Sequence, residues 1–334
     1  MMMSKVVQAA SIALALLAAL LVGCERDGSA TGGATTGPSG KGGKPLVVGF
    51  AQVGAESAWR TANTQSIQDE AKKRGIDLRF SDAQGKQENQ IAAVRGFIAQ
   101  RVDVILLAPI VETGFEPVLR EAKAAGIPVI LSDRRVATDD PSLYVTFIGS
   151  DFVEEGRRAA QWLAKETGGK ATIAELQGTT GSAPANDRKK GFEEVIAKHP
   201  DMKIVLSQTG KFERAEGKKV MEAFLKTPQG KDINALYAHN DDMAIGAIQA
   251  IEEAGRKPGT DILIVSVDGV RAAFEAMAEG KLNCTVECNP LIGPQIFDAV
   301  EKIVAGEPVP KHIEVEEGVF TQEQAKAELP NRKY

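Results

Sequence analysis

Short apolar runs alternate along most of the chain with segments of helical periodicity. Nine runs have the length of a buried strand: Leu46–Phe50, Ile76–Phe80, Val104–Ala108, Val129–Ser132, Val145–Ile148, Thr172–Leu176, Ile204–Leu206, Ala235–Ala238 and Ile262–Val267. The segments between them place apolar residues on one helix face, as in residues 87–102. Strands that are apolar on both faces are typical of parallel sheets covered by helices on both sides. The pattern predicts doubly wound α/β structure, and nine strands favour two lobes over one sheet.

The first 44 residues do not share this alternation. A short charged start is followed by a 17-residue, almost wholly apolar stretch (6–22) and then by Gly23-Cys24. This order is typical of a secretory signal peptide, and a cysteine after small residues resembles the lipobox of bacterial lipoproteins. We therefore expect a signal peptide over residues 1–23 and lipidation of Cys24. The alternative is an uncleaved membrane anchor, because 17 residues reach the lower limit for a span.

Residues 24–44 predict a tether between this segment and the folded part. The stretch is rich in glycine and has no large apolar residue after Cys24, so it cannot bury enough surface to offset its ordering entropy. The folded part is then exported, faces the periplasm or the cell exterior, and contacts the membrane only through the lipid.

Composition excludes several classes of partner. The chain has 40 basic and 45 acidic residues, so no basic excess is present to neutralise the phosphates of a nucleic acid. Three histidines in 334 residues argue against a His-rich metal centre. No Gly-x-Ser-x-Gly, His-Glu-x-x-His or Gly-x-Gly-x-x-Gly motif follows the first strand. We therefore expect no metal, no cofactor and no enzymatic activity.

Polar side chains follow five of the predicted strands, where ligands of open α/β sheets bind. In chain order they are Glu56, Ser57, Trp59, Arg60, Asp133, Arg134, Arg188, Asn240 and Asp268. Carboxylates, amides and guanidinium groups can pair with sugar hydroxyls, and an aromatic face can pack on the C–H face of a sugar ring. Taken singly, each could be a helix cap, a turn residue or a core residue. Asp241 and Asp242 are expected to cap the helix that follows them, Asp187 could be a cap or form a local pair, and Arg134 and Arg135 could be a solvated pair. The coincidence of polar side chains at strand ends in both halves of the chain favours one polar cleft.

Several of these segments carry a family resemblance. The runs Val-Gly-Phe-Ala-Gln-Val-Gly-Ala-Glu-Ser-Ala-Trp-Arg (48–60), Lys-Gln-Glu-Asn-Gln-Ile (86–91), Asp-Arg-Lys-Lys-Gly-Phe (187–192), Tyr-Ala-His-Asn-Asp-Asp-Met (237–243) and Gly-Ala-Ile-Gln-Ala-Ile (246–251) closely resemble those of periplasmic sugar-binding proteins of the ribose/galactose type. Within that type they resemble the galactofuranose branch. The resemblance extends from about residue 45 to about residue 305.

The resemblance implies a fold and its boundaries. Type I periplasmic binding proteins have two doubly wound parallel-sheet α/β lobes joined by a three-segment hinge. The crossings fall near residues 149–151, 288–290 and 310–313. The N-terminal lobe would then be 45–149 plus 290–311, and the C-terminal lobe 150–289 plus 312–334.

The resemblance also implies a function. The nine polar residues above would bind a monosaccharide, best matched by galactofuranose, in the cleft between the lobes. Ligand would favour the closed state, which is presented to an ABC transporter permease. In ribose-type relatives a glutamine lies where Cys288 falls here, which speaks against ribose. We expect a monomer that binds no nucleic acid.

Cys284 and Cys288 are separated by four positions in a strand-like run. In a strand their Cα atoms would lie about 13 Å apart, whereas a disulfide requires roughly 4.4–6.8 Å. The spacing therefore predicts two buried thiols, with Cys288 near the cleft.

Two other function classes compete with transport. A glycosidase needs two carboxylates, and Glu56, Asp133 and Asp268 could supply them. The neighbouring arginines would hold these groups ionised, which suits binding better than proton donation. A sensor that presents its closed form to a chemoreceptor or receptor kinase would use the same cleft. A repressor core has the same fold but would need a DNA-binding headpiece at its N-terminus. The predicted signal peptide occupies that place, so this class is discarded.

Overall fold

The computed structural model describes residues 45–334. The expected signal peptide (1–23), the lipidation site Cys24 and the tether to residue 44 lie outside the described residues. Within 45–334, no helix combines the length and the apolar character needed to cross a bilayer.

The strands and helices alternate for most of the chain. The strands are β1 (Val47–Gln52), β2 (Asp77–Asp82), β3 (Val104–Leu107), β4 (Val129–Ser132), β5 (Thr146–Gly149), β6 (Lys170–Gln177), β7 (Asp201–Thr209), β8 (Ala235–Ala238), β9 (Leu263–Asp268), β10 (Cys284–Glu287), β11 (His312–Glu314) and β12 (Val319–Thr321). The helices are α1 (Ala58–Lys73), α2 (Gln87–Gln100), α3 (Glu116–Ala124), α4 (Phe152–Glu166), α5 (Ala183–Ile196), α6 (Arg214–Leu225), α7 (Asp241–Glu253), α8 (Arg271–Ala278), α9 (Gly293–Ala305) and α10 (Gln322–Glu328).

The strands form two six-stranded sheets of matching topology. Their orders are β11-β5-β4-β3-β1-β2 and β12-β10-β9-β8-β6-β7. All pairings are parallel except that of β10 with β12. The predicted fold class, two doubly wound parallel-sheet α/β lobes, is confirmed.

Each of the nine predicted apolar runs coincides with one of the strands β1 to β9. The interior strands β3, β4 and β8 are buried at every position, because helices cover both faces of each sheet. Strand β7 has only one partner and alternates between buried or half-buried and exposed residues along most of its length. It therefore extends through polar residues to Thr209, well beyond the apolar segment 204–206.

Each lobe has its own hydrophobic core, and the chain passes between them three times. The first core includes Ile148 and Ile292, and the second includes Phe152 and Cys288, so the first two passages lie between these residues. The third differs from the expected boundary near 310–313. Strand β11 pairs with β5 of the first sheet, and Val315 packs in the first core, so the chain leaves this lobe after residue 315. The polar sequence of β11 gives no apolar run by which its sheet could be recognised.

One carboxyl group joins the three passages. Glu317, on the third, accepts a hydrogen bond from the hydroxyl of Ser150 on the first, and another from the backbone N–H of Asn289 on the second (3.0 Å). The Cys288 thiol and the Glu155 carboxyl lie beside it, with potential ligand atoms within 4.8 Å of one another. Burial, with a further contribution from Glu155, raises the pKa of Glu317 to about 9.

This raised pKa predicts that Glu317→Gln stabilises the protein more at pH 8 than at pH 5. The carboxyl is protonated in the folded chain but ionises near its ordinary pKa of 4.5 when unfolded. Its stabilising contribution is complete below pH 4.5 and is lost as the pH rises toward about 9. Glutamine mimics the protonated form and does not titrate. Urea unfolding at both pH values measures the difference, and Glu314→Gln on the neighbouring strand is the control. An equal change in the free energy of unfolding at both pH values would contradict the raised pKa of Glu317.

Cys284 and Cys288 are free, buried thiols, as their spacing predicts. Burial raises the pKa of both thiols well above the ordinary value. Because the thiolate is the reactive form, neither should react with iodoacetamide at pH 8 in the folded protein with its lobes closed, and both should react after denaturation. Mass spectrometry of the tryptic peptides measures this. Alkylation of Cys288 without denaturant would mean that the cleft opens to solvent.

Candidate functional site

A small cavity lies between the two lobes at the carboxyl ends of the strands. It is close to the points where strand order reverses, between β1 and β3 in one sheet and between β6 and β8 in the other. Its lining atoms surround about 280 Å³ of empty space, part of which is open to solvent. The lining residues are Glu56, Ser57, Trp59, Arg60, Asp133, Arg134, Pro184, Arg188, Phe212, Asn240, Asp268 and Cys288. All nine residues selected from the sequence therefore lie together.

Charged side chains build the half of the cavity contributed by the first lobe. Ser57 caps α1 by accepting a hydrogen bond from the Arg60 backbone N–H (3.1 Å). The Arg60 guanidinium donates to Asp133 (2.6 Å) and to Glu56 (3.1 Å), and Arg134 also donates to Glu56 (3.1 Å). Two arginines and two carboxylates thus form one buried network.

This network keeps its charges. Burial acts to raise the pKa of Glu56, but the guanidinium groups of Arg60 and Arg134 outweigh burial and lower it. Burial, with repulsion from Arg60, lowers the pKa of Arg134 to about 10, so it too stays charged at neutral pH. One oxygen of Glu56 and the Nε of Arg134 are buried without a hydrogen-bond partner. Unpartnered buried groups are costly, and these two are available to a polar ligand.

Arg188 dominates the opposite half of the cavity. Its guanidinium donates to the Glu155 carboxylate and to the His239 carbonyl, both at 2.6 Å, and lies 3.7 Å from Asp268. Glu155 comes from α4 and does not line the cavity, so sequence reasoning about strand ends missed it. Asn240 caps α7 by accepting from the Met243 N–H (3.0 Å). Its role as a cap and its place in the cavity are both observed.

Asp268 differs from the expectation that arginines keep the cavity carboxylates ionised. Burial raises its pKa well above the ordinary value, and Arg188 opposes this only in part. Of the two carboxyl groups near Arg188, Glu155 is at 2.6 Å and Asp268 at 3.7 Å, so Asp268 receives little compensation for its desolvation. A protonated Asp268 can donate a hydrogen bond as well as accept one.

Phe212 and Pro184 line the cavity but were not expected from the sequence. The Phe212 ring faces two guanidinium groups, with centroid distances of 5.3 Å to Arg134 and 5.9 Å to Arg188. Phe212 follows the edge strand β7. Because the apolar pattern of β7 is weak, the end of this strand could not be located from the sequence. An aromatic residue in the short polar loop Gly210-Lys211-Phe212 was the available signal.

Three cavity residues have left-handed backbone conformations, with φ of 63° at Asp133, 131° at Asp268 and 66° at Phe212. Such conformations are uncommon for residues other than glycine, and they cluster at functional sites. At these positions the backbone holds the side chains toward the cavity.

The lobes are closed over the cavity. Arg135 and Asp187 form an ion pair across the cleft. The Asn186 side chain donates to the Glu112 carboxylate (2.6 Å), and the Glu112 N–H donates to the Gly181 carbonyl (2.9 Å). The sequence left Arg135 and Asp187 open as a solvated charge and a local cap, whereas they bridge the two lobes.

The fold and this cleft define a two-lobe binding protein, and comparison with known proteins agrees. Residues 48–308 match the model of the periplasmic binding protein domain. The chain belongs to the periplasmic binding protein family. It is 51% identical over 292 residues to the galactofuranose-binding protein YtfQ of Escherichia coli K12, covering 86% of this chain and 92% of that protein.

Two solved structures are similarly close. The arabinose ABC transporter binding protein of Shewanella sp. ANA-3, bound to α- and β-L-arabinofuranose, is 57% identical, with a TM-score of 0.84 over 86% of this chain and 96% of that one. A Mycobacterium smegmatis protein in complex with β-D-fucofuranose is 56% identical, with a TM-score of 0.84 over 86% and 95% of the two chains.

These findings confirm the resemblance to periplasmic sugar-binding proteins. The chain is a sugar-binding protein of an exported, periplasmic family whose members serve ABC transporters, and it is not an enzyme.

Proposed function

We propose that this chain captures a monosaccharide in its furanose form, galactofuranose first, and delivers it to an ABC transporter permease. The observation that carries the proposal is the cavity between the lobes, lined by four charged side chains from the first lobe and by Arg188 and Asp268 from the second. The similar proteins named above are described with galactofuranose, arabinofuranose and fucofuranose. All three sugars have a five-membered ring.

The charge pattern suits a ring of hydroxyl groups. Glu56 and Asp133 accept hydrogen bonds from hydroxyls, while the guanidinium groups of Arg134 and Arg188 donate to them. Trp59 offers an indole surface to the C–H face of the sugar. Because one Glu56 oxygen and the Arg134 Nε have no hydrogen-bond partner in the described residues, a sugar hydroxyl would supply the missing hydrogen bonds.

Closure gives the mechanism of delivery. Ligand contacts from both lobes exist only when the cleft is shut, so ligand shifts the hinge equilibrium toward the closed form. The permease would then recognise the closed pair of lobes. Opening on the permease would separate the two halves of the site and release the sugar.

We further propose that the protein is exported and held at the membrane by a lipid on Cys24. The Leu21-Val22-Gly23-Cys24 run supports this. Cys24→Ser is expected to abolish incorporation of radiolabelled palmitate and to shift the protein from the membrane fraction to the soluble fraction. Cys284→Ser is the matched control and should stay in the membrane. Equal membrane association of both variants would mean an uncleaved anchor.

Isothermal titration of the fragment from Lys44 onward tests the sugar proposal. The panel is galactofuranose, galactopyranose, arabinose, ribose, xylose and glucose. One-to-one binding strongest for a furanose would support the proposal. A folded protein that binds none of them would overturn it, and mass spectrometry of the denatured fragment would then identify any ligand carried through purification.

A further inference from the structure

The first turn of α1 belongs to the first lobe but docks on the second. The Trp59 side chain packs in the second hydrophobic core, and its indole N–H donates to the Cys288 carbonyl (2.6 Å). Beside it, the Ala58 backbone N–H donates to the Asp242 carboxylate (2.8 Å). Asp242 lies in the first turn of α7 in the second lobe. A carboxylate of one lobe therefore caps a helix of the other.

Asp242 is held in place for this contact. Its second carboxylate oxygen accepts two hydrogen bonds from the Arg214 guanidinium, from Nη2 (2.7 Å) and Nε (3.0 Å). Only 4% of the Asp242 surface is exposed. The N-terminus of α1 carries unpaired N–H groups and the positive end of the helix dipole, and both favour a carboxylate there. From the sequence alone, Asp242 was expected only to cap its own helix.

Asp242 does not line the sugar cavity, but the turn that it caps does. Ser57, Trp59 and Arg60 all line it, and they flank Ala58 in the chain. Opening the lobes must pull this turn away from Asp242 and from the Cys288 carbonyl. The cap across the cleft and the sugar site are therefore assembled by the same movement.

We propose that Asp242 is a positioning residue that sets sugar affinity by docking α1 on the second lobe, without touching the sugar. This proposal rests on the proposed function for its affinity measurement, but the docking contact itself can be measured without ligand. A hydrogen bond to a charged acceptor should alter affinity by about ten- to a hundredfold. Most of the change should appear as faster dissociation, because the contact is lost when the cleft opens.

Ala58→Pro removes the backbone N–H that donates to Asp242 across the cleft. Position 58 is the first residue of α1, where proline is favoured because its fixed φ suits the helix start. The preceding Ser57 is extended (φ −148°, ψ 164°), as a residue before proline should be. The proline Cδ takes the place of the amide hydrogen and crowds the Asp242 carboxylate, so the variant opposes docking both by loss of the hydrogen bond and by steric repulsion. Ala58→Ser keeps the N–H and is the matched control.

In the full-length protein, Ala58→Pro should bind the sugar about ten- to a hundredfold more weakly than Ala58→Ser, with a melting temperature no lower. Asp242→Ala should weaken binding similarly. Asp242→Asn, which keeps an oxygen acceptor, should recover part of the affinity. Because Asp242→Ala removes both the acceptor and the steric conflict with the proline ring, the double variant Ala58→Pro/Asp242→Ala should bind no more weakly than Ala58→Pro alone. Additive losses would overturn the proposal.

The second measurement uses no sugar. In a Trp162→Phe background, Trp59 is the sole tryptophan of the chain. Its quenching by acrylamide reports whether the α1 turn is docked. Both Ala58→Pro and Asp242→Ala should increase quenching relative to Ala58→Ser. Unchanged quenching in both variants would overturn the inference. Increased quenching in a protein that binds no sugar of the panel would support the docking contact while the proposed sugar function fails.

Discussion

Asp133→Asn is expected to weaken sugar binding by about 1.5–3 kcal/mol, which corresponds to about 10- to 150-fold in Kd. The Asp133 carboxylate faces the cavity and holds Arg60 at 2.6 Å. Asparagine keeps the shape of the side chain but removes its charge, so both the hydrogen bonds to the ligand and the orientation of Arg60 should suffer. Isothermal titration at neutral pH measures the change.

Asparagine is also the replacement that the backbone tolerates. Asp133 has a φ of 63°, a left-handed conformation in which asparagine is enriched. Loss of affinity should therefore occur without loss of fold, which circular dichroism and the melting temperature can check. Asp139→Asn, an exposed carboxylate a few residues away, is the control and should bind normally. Unchanged affinity in Asp133→Asn would remove Asp133 from the site.

Arg188→Met is expected to lower the free energy of unfolding by about 3–5 kcal/mol, the usual cost of breaking a buried ion pair on one side. Arg188 and Glu155 are 4% and 1% exposed, and their 2.6 Å contact is the main compensation for the buried Glu155 carboxylate. Removing the guanidinium leaves that carboxylate and the His239 carbonyl without their partner. Urea unfolding at pH 7 measures the loss.

A second substitution separates stability from binding. Arg188→Met/Glu155→Leu replaces both partners with apolar side chains, and it should recover most of the lost stability. The same double variant should still fail to bind the sugar, because Arg188 also lines the cavity. If the double variant is as unstable as Arg188→Met, the ion pair is not the cause of the loss. If it binds sugar normally, Arg188 does not contact the ligand.

Most of the fold could be predicted from the sequence, because buried parallel strands appear in it as continuous apolar runs. Strands β3, β4 and β8 are buried throughout and read directly as apolar runs. Strand β11 is short, polar and half-exposed, so neither its existence nor its sheet could be predicted. Strand β11 joins the first sheet because it pairs with β5, and its own residues do not indicate this sheet. The third boundary between the lobes was therefore misplaced by a few residues.

The candidate site was predictable where a polar residue directly follows a strand. Asp133 and Asp268 stand at such positions, and their chemistry could be read from the chain. Glu155 could not be found in this way, because it lies on a helix and reaches the site only through Arg188. Asp242 was visible, but its partner is 184 positions away along the chain, so a local cap was the natural interpretation. Contacts that depend on how two lobes meet leave no local pattern.

One edge strand of each sheet comes late in the chain, and this has a consequence for biosynthesis. Strand β11 completes the first sheet and β12 the second, and both follow residue 311. Neither lobe can finish its sheet until the last segment of the chain has been made, even though the first lobe begins at the N-terminus. Completion of both sheets is therefore delayed until synthesis is almost over, and a chain that ended before residue 312 would lack one edge strand of each sheet.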